Sequence, residues 1–395
     1  MNIAFIHNRF PAGGAERITA DIAGYLAPLG NYKIFVYASH IGKASSDTFR
    51  DILTIRKLPT QAIQALRSAK VEEYIKKDRI DIVVQVVKSL PGIEGIKERT
   101  GCKTVLANHG ELFWQRYGIM QRRLENGRLR KLIYQKKYGD GTLALRMAKE
   151  RTMADYLTSD AYTVLCRGYK ERMERELGID PTSSRIRYIE NPEKVVEHPV
   201  LQKEKMLLFV GRFENWSKRI DRLLRIWASI QNEEQMKDWR LELVGDGPDR
   251  QMLEELASRL KLERIKFNGF RSDVDKFYDK AWAVCLTSET EGWGLALTEG
   301  MARGCIGIAF GCSDGVKEVL GPWGECGFAV EPFDEQAYAS ALLSLTALDE
   351  ERTQEMRLAG IRRRKQYVPD AICPKWKTLF DELYNSKYGD KKVQS

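Results

Sequence analysis

Two glutamates bracket the run Glu291-Gly-Trp-Gly-Leu-Ala-Leu-Thr-Glu299. The apolar stretch at 283–287 reads as a strand, and the residues from about 295 onward read as a helix. Gly292 and Gly294 lie in the loop between, where glycine lets the backbone come close to a ligand. The first turn of a helix presents N–H groups and the positive end of its dipole, which suits a phosphate. Two carboxylates beside such a pocket repel the anion itself. An acid–base pair is one use for them. In this setting they are better suited to accept hydrogen bonds from hydroxyls, such as those of a sugar and a ribose. Only the strand–loop–helix context separates these glutamates from a loop charge and an exposed helix residue.

Cations stand ready elsewhere. Gly211-Arg-Phe-Glu-Asn-Trp-Ser-Lys218 follows an apolar strand at 206–210. Arg212 can grip phosphate bidentately and Lys218 acts as a mobile point charge, so both suit a leaving diphosphate. Gly245-Asp-Gly-Pro248 is a tight turn opening a helix with Pro near its first position. Phe267-Asn-Gly-Phe270 closes another strand. In the first half, Gly13 and Gly14 join the first strand to the first helix, and His109 follows a strand in Asn108-His-Gly110. Asp273-Val-Asp275 has the spacing of a metal-binding pair, but Ser272 and Asp273 suit a helix cap and first turn. No metal is expected there.

These residues sit in a chain of 395, enough for two domains, with 43% hydrophobic and 30% charged residues. The net charge of +9 favours an anionic partner. Between Arg116 and Arg151 eleven Lys and Arg face three acidic residues, a pattern that suits a solvated helix face or an anionic membrane surface. The basic residues lack interleaved stacking aromatics in a recognised motif, so no nucleic-acid partner is expected. Seven cysteines without a Cys-x-x-Cys pair and four dispersed histidines fit buried thiols in a reducing cytosol, not disulfides or metal ligation. No apolar run is long enough to span a bilayer, and the start reads as a strand instead of a signal peptide.

Short apolar runs alternate with amphipathic stretches throughout. Strands are expected at 2–7, 32–37, 81–86, 103–107, 161–165 and 186–190, then at 206–210, 240–244, 265–268, 283–287, 306–309 and 327–330. Helices are expected at 15–27, 60–77, 120–156 and 168–177. In the second half they fall at 219–231, 248–261, 272–280, 295–303, 334–347, 350–365 and 374–386. Near-continuous apolar strands alternating with helices predict parallel sheets covered on both faces. The pattern restarts near 205 after a polar, proline-bearing stretch. The expected domains are therefore 1–195, 203–373, and a helix from 374 packing back on the first domain, ahead of a frayed tail.

At this point the chain resembles the GT4 family of retaining glycosyltransferases. Glu291 and Glu299 match its E-x7-E motif; Gly211, Arg212 and Lys218 match its G-R-x5-K pattern. The resemblance implies a GT-B fold, an α/β architecture of two Rossmann-like, doubly wound domains facing across a cleft. It implies that Glu291 meets the donor sugar and Glu299 the ribose. The backbone of Gly292, Trp293, Gly294 and Leu295 would hold the diphosphate and sugar. Gly245, Gly247 and Phe270 would lie near the base, Gly13 and Gly14 near the donor phosphate or acceptor, and His109 near the reacting sugar. Trp293 stands where Phe or Tyr is commoner, which would reshape the sugar pocket, and Arg219 where Gly or Asn is usual.

The implied activity is metal-independent transfer of a hexose from a nucleotide sugar, most often a UDP-sugar, to a glycan or lipid-linked acceptor. No cofactor is implied, since the nucleotide sugar is a substrate. The implied setting is cell-surface polysaccharide or lipopolysaccharide assembly in the cytoplasm, with 116–151 placed to reach the inner face of the cytoplasmic membrane. A nucleotide-sugar 2-epimerase of the same fold and a non-catalytic anionic-ligand-binding protein are the alternatives.

Overall fold

The computed structural model describes residues 1–11, 14–42, 49, 51–116 and 141–388. The chain forms two compact units, Met1–Pro192 together with Pro369–Ser395, and Glu193–Val368.

Unit 1 is built on parallel strands β1 (Asn2–Phe10), β2 (Lys33–Ile41), β3 (Thr54–Lys57), β4 (Ile82–Val86), β5 (Lys103–Ala107), β6 (Ala161–Val164) and β7 (Ile186–Tyr188). Their order is β3-β2-β1-β4-β5-β6-β7. Ile3, Ala4, Phe5 and Ile6 are consecutive and all buried, as a central strand covered on both faces requires. Ala4 and Ile6 share a core with Val71 and Ile75 of the helix Gln64–Lys77 and with Ile93 and Ile96 of the helix Ile93–Thr100. On the other face Phe5 meets Phe380 edge to face at 6.3 Å. Phe380 belongs to the last helix, Pro369–Tyr388, which is also tied to the sheet by Tyr388 Oη donating to Asp81 Oδ1 at 2.8 Å.

Unit 2 carries β8 (Glu204–Val210), β9 (Arg240–Val244), β10 (Ile265–Phe267), β11 (Ala281–Leu286), β12 (Ile306–Phe310) and β13 (Gly327–Val330). All pair in parallel, in the order β10-β9-β8-β11-β12-β13. Both units are thus Rossmann-like parallel sheets, as the alternation predicts. In unit 2 the strand order reverses between β8 and β11. A crevice forms beyond the carboxyl ends of the strands at such a point. Those ends lead into the two segments that carry Arg212, Lys218 and Glu291.

The helix Leu295–Ala302 rests directly on β11 because residue 300 is glycine. A Cβ there would stand 2.4 Å from Val284 Cγ2. The sheet therefore fixes the helix that follows the glutamate loop.

Several elements differ from expectation. β3 is a short edge strand. The helices Ile93–Thr100 and Asp314–Leu320 occupy stretches not expected to be helical. The last helix begins at Pro369, before the expected 374. Residues 117–140 of the expected 120–156 helix lie outside the described residues; Thr142–Thr158 is helical. Unit 2 starts at Glu193, ahead of the expected 203. The cause is a buried ion pair: Glu193 Oε1 meets Arg364 Nη1 at 3.2 Å, with the side chains only 4% and 3% exposed. No helix among the described residues is long and apolar enough to cross a membrane. All seven cysteines are free thiols, and only Cys312 is not fully buried.

Removing one partner of a buried pair leaves the other charge uncompensated. Glu193→Ala should therefore destabilise unit 2 by about 3–5 kcal/mol. The measurement is chemical denaturation of the full chain; a loss below about 1 kcal/mol contradicts this role.

Candidate functional site

The loops that leave β8 and β11 are bound together at several points. Glu289 N–H donates to Ser217 O at 2.8 Å, and Thr287 Oγ1 donates to Arg219 O at 2.9 Å. Arg222 Nη2 reaches Glu289 Oε2 at 2.7 Å, and Arg219 Nη1 reaches the same oxygen at 3.3 Å. At the end of this zip Lys218 Nζ donates to Glu291 Oε1 at 2.7 Å. Ser288 Oγ donates to that oxygen as well, also at 2.7 Å. Two residues singled out separately by spacing are therefore in direct contact. Their side chains are 26% and 10% exposed, low enough to strengthen the pair relative to water and high enough for a ligand to reach it.

Arg219 is the joint of this arrangement. It ends the short helix Asn215–Lys218 and precedes the helix Ile220–Ile230, in the left-handed region at φ 45° and ψ 48°. Glycine or asparagine, the residues the resemblance leads one to expect here, adopts that conformation readily. Here arginine is held by Asp221, with Nε–Oδ1 at 2.9 Å and Nη2–Oδ2 at 3.0 Å. These contacts offset a backbone cost of roughly 1–2 kcal/mol.

Arg212 lies on the same loop with its side chain 68% exposed, beside Glu214 at 3.2 Å. Gly294 precedes the helix Leu295–Ala302 at φ 82°, and no side chain caps that helix. Leu295 is its first residue, and Gly292 is partly exposed in the loop. Glu299, one turn in, accepts a 2.9 Å hydrogen bond from the buried Tyr278 Oη at Oε2. Trp293 departs from expectation. Its ring is 2% exposed, packs edge to face on Tyr367 at 5.4 Å, and donates from Nε1 to Glu193 Oε1 at 3.3 Å. A large apolar ring gains more from that core than from the loop, so a ligand can meet the backbone of Trp293 but not its indole.

The glycines at 211, 245 and 247 each make room for a neighbouring segment. Gly245 sits at φ 143°, and a Cβ there would be 1.8 Å from Gly211 O. A Cβ on Gly247 would be 2.5 Å from Phe213 O. One on Gly211 would press on the Phe209 ring at 3.1 Å. The loops are joined by Gly211 N–H to Val244 O at 3.0 Å and Phe213 N–H to Asp246 O at 2.9 Å. Gly245 N–H in turn reaches Gly269 O at 2.9 Å, which sets the start of Phe270. Phe270 is 79% exposed, an aromatic face open to a planar ligand.

Asp273 and Asp275 do not converge. Asp273 is gripped by Arg271 through both oxygens at 2.9 Å, and Asp275 pairs with Arg303 at 2.6 Å. The expected cap at Ser272 and Asp273 is corrected: the helix is Asp275–Lys280, with Val274 before it and no side-chain cap. Arginine outcompetes the helix amides for the Asp273 carboxylate.

In unit 1, Gly14 opens the helix Gly14–Leu26, while Gly13 lies outside the described residues, as does 117–140 of the basic segment. His109 follows β5, and its Nδ1 is 3.0 Å from Asn191 Oδ1. With an amide oxygen facing it, Nδ1 carries the proton and Nε2 keeps a lone pair. Burial pushes the His109 pKa down to about 4, against the opposing pull of Asn191. His7, buried on β1 and 2.9 Å from Thr19 Oγ1, falls to about 3 through burial and the nearby His109. Both rings are neutral near pH 7. Asn191, Ser288, Glu289, Arg222 and Tyr278 are supporting residues that sequence reasoning missed. Only Asn191 carried a signal in the sequence, the proline that follows it at 192.

The family description Glycosyl transferases group 1 matches residues 190–362, and Glycosyltransferase Family 4 matches 12–192. The chain is 26% identical over 325 residues to an uncharacterized glycosyltransferase of Haemophilus influenzae, covering 80% of this chain and 82% of that one. It is 23% identical over 403 residues to the GalNAc-alpha-(1->4)-GalNAc-alpha-(1->3)-diNAcBac-PP-undecaprenol alpha-1,4-N-acetyl-D-galactosaminyltransferase of Campylobacter jejuni, covering 98% and 100%. Among solved structures, Anabaena HepE in complex with UDP-glucose shares the fold, with a TM-score of 0.73 at 17% identity over 97% of this chain and 100% of that one.

Two outcomes test this geometry. Gly245→Ala should cost more than about 3 kcal/mol, whereas Gly24→Ala, with open space around it, should change stability by less than about 1 kcal/mol. Equal effects in denaturation would contradict the close backbone approach. For His109, the folded pKa of about 4 lies below the ordinary imidazole value of 6.5, so the unfolded chain binds the proton first. Its stabilising contribution is complete above pH 6.5 and is lost as pH falls toward 4. His109→Gln should reduce the slope of stability against pH in that window by up to about 1.4 kcal/mol per pH unit.

Proposed function

Because the chain belongs to the group 1 glycosyl transferases, with a first half of family 4 type, we propose that it moves a hexose from a UDP-sugar to a hydroxyl of a lipid-linked glycan acceptor, with retention at C1. Glycosyl transfer is the family's activity; the donor, the stereochemistry and the acceptor are our reading. The observation that carries it is the 2.7 Å contact of Lys218 with Glu291 beside the Gly294-led helix, at the switch point of unit 2.

An ammonium has three N–H donors, and Glu291 takes one. The remaining charge of Lys218, that of Arg212 and the helix dipole can stabilise the negative charge that grows on a leaving diphosphate. A cationic pocket of this kind does the work that a divalent ion does elsewhere. Glu291 and Glu299 are engaged by Lys218, Ser288 and Tyr278, which supports positioning of sugar and ribose hydroxyls over attack on C1. Without a protein nucleophile, retention follows from front-face attack, with a phosphate oxygen of the departing diphosphate taking the acceptor proton. The bound UDP-glucose of Anabaena HepE supports the donor class. The undecaprenol-linked acceptor in the name of the Campylobacter jejuni relative supports the acceptor class. Such a reaction belongs to cell-surface polysaccharide or lipopolysaccharide assembly at the cytoplasmic face of the membrane.

Lys218→Ala and Glu291→Gln should each lower kcat by about 10²–10³ while the fold is kept. Near-normal turnover in both sinks the assignment. Proton NMR of the product should show the donor's anomeric configuration, and a chelator should leave the rate unchanged. Conversion of the donor sugar without any acceptor would point to an epimerase instead.

A further inference from the structure

A second concavity of unit 2 takes no part in the loops described above. It holds about 540 Å³ beside the turn before β13 and the helix Glu350–Arg364. This volume lies within the roughly 300–1,000 Å³ typical of small-molecule sites. Trp323 lines it and is 60% exposed. Of the eight tryptophans it alone is exposed among the described residues. The indole is not loose: it packs edge to face on Phe328 at 4.8 Å and 85°. The turn beneath it is pinned by Gly324 N–H to Gly327 O at 3.0 Å and by Arg352 Nη2 to Gly324 O at 2.8 Å.

Around the indole stand Glu325, Arg352, Glu355 and Arg362, with the exposed side chain of Leu358 adding apolar surface. Two positive and two negative side chains leave no net field, and Arg352 already pairs with Glu355 at 2.7 Å. Neither a phosphate nor an anionic bilayer gains from such a lining. A neutral ring with C–H bonds on one face and hydroxyls around its rim does. The C–H bonds meet the negative face of the indole, while the hydroxyls donate to carboxylates and accept from guanidiniums.

The position separates this concavity from transfer. Trp323 precedes β13, whereas the loops of Lys218 and Glu291 follow β8 and β11. In a parallel sheet those are opposite ends, about 17 Å apart for a strand of ordinary length. We infer that this face of unit 2 is a saccharide-binding site that takes a neutral hexose or N-acetylhexosamine ring of a glycan chain, remote from the ring that reacts. The choice of ligand class rests on the glycosyltransferase reading; the geometry does not.

The test uses the full chain with maltoheptaose, an N-acetylglucosamine hexamer and dextran, read by saturation-transfer NMR and by retardation in polysaccharide gels. At least one probe should bind. Trp323→Ala should weaken it about tenfold and Trp323→Phe less than about threefold, since the aromatic face is what remains. Both variants should stay folded at the assay temperature, the alanine variant losing no more than the roughly 0.5–1.5 kcal/mol of the pair with Phe328. No binding by any probe, equal binding by Trp323→Ala, or Trp323-dependent binding to phosphatidylglycerol vesicles overturns the proposal. Transfer to a short acceptor, lost in Lys218→Ala and kept in Trp323→Ala, distinguishes the two sites. Trp323-dependent binding in a chain without transfer upholds this site and defeats the donor reading alone.

Discussion

The contact between Lys218 and Glu291 is possible only because β8 and β11 are neighbours in a parallel sheet. Strands that follow one another in sequence would send their crossovers to the same side. Here the order reverses, and the two loops emerge next to each other. A separation of 73 residues in sequence is reduced to one hydrogen bond. The carbonyls of Ser217 and Arg219 and the carboxylate of Glu289 then hold the loops in register. The ion pair is one member of a half-buried network, so a ligand meets a charge already oriented and not one it must order.

Close backbone approach is the second condition. Gly245 and Gly247 act on Gly211 and Phe213, and Gly300 acts on Val284. None of these glycines needs a ligand to explain it. Each removes a side chain so that another segment can come within bonding distance. Phosphate-binding glycine loops invite a direct reading of glycine as ligand contact. In this chain the glycines around β8 and β9 first build the platform.

The fold was largely legible in the residues. Met206–Val210 and Ala283–Leu286 are near-continuous apolar runs, and a strand buried on both faces must look that way. β3 was not, because three of the four residues in Thr54-Ile-Arg-Lys57 are polar and it becomes a strand by pairing with β2 while Arg56 finds Asp78. Asp314–Leu320 was missed because it is short, although Ser313 caps it through Val316 N–H. At the candidate site, the spacing of Glu291 and Glu299 could be read directly. Their partners could not, since Lys218 and Tyr278 reach them only through tertiary contact. The burial of the Trp293 indole was not legible for a related reason. Its neighbours in the chain are loop residues, but its neighbours in space are Tyr367 and Glu193.

Unit 1 is made from both ends of the chain, since the helix Pro369–Tyr388 supplies Phe380 and Trp376 to its core. That arrangement imposes an order on biosynthesis. Unit 2 is continuous and can fold as soon as it leaves the ribosome. The first sheet emerges earlier, but the face that the helix Gly14–Leu26 begins to cover stays incomplete at Phe5 until the last helix arrives. At ordinary elongation rates that delay is on the order of ten seconds or more. For that interval the oldest part of the nascent chain is the part most in need of protection, and a chaperone or a slow ribosome would matter more to the beginning of this protein than to its end.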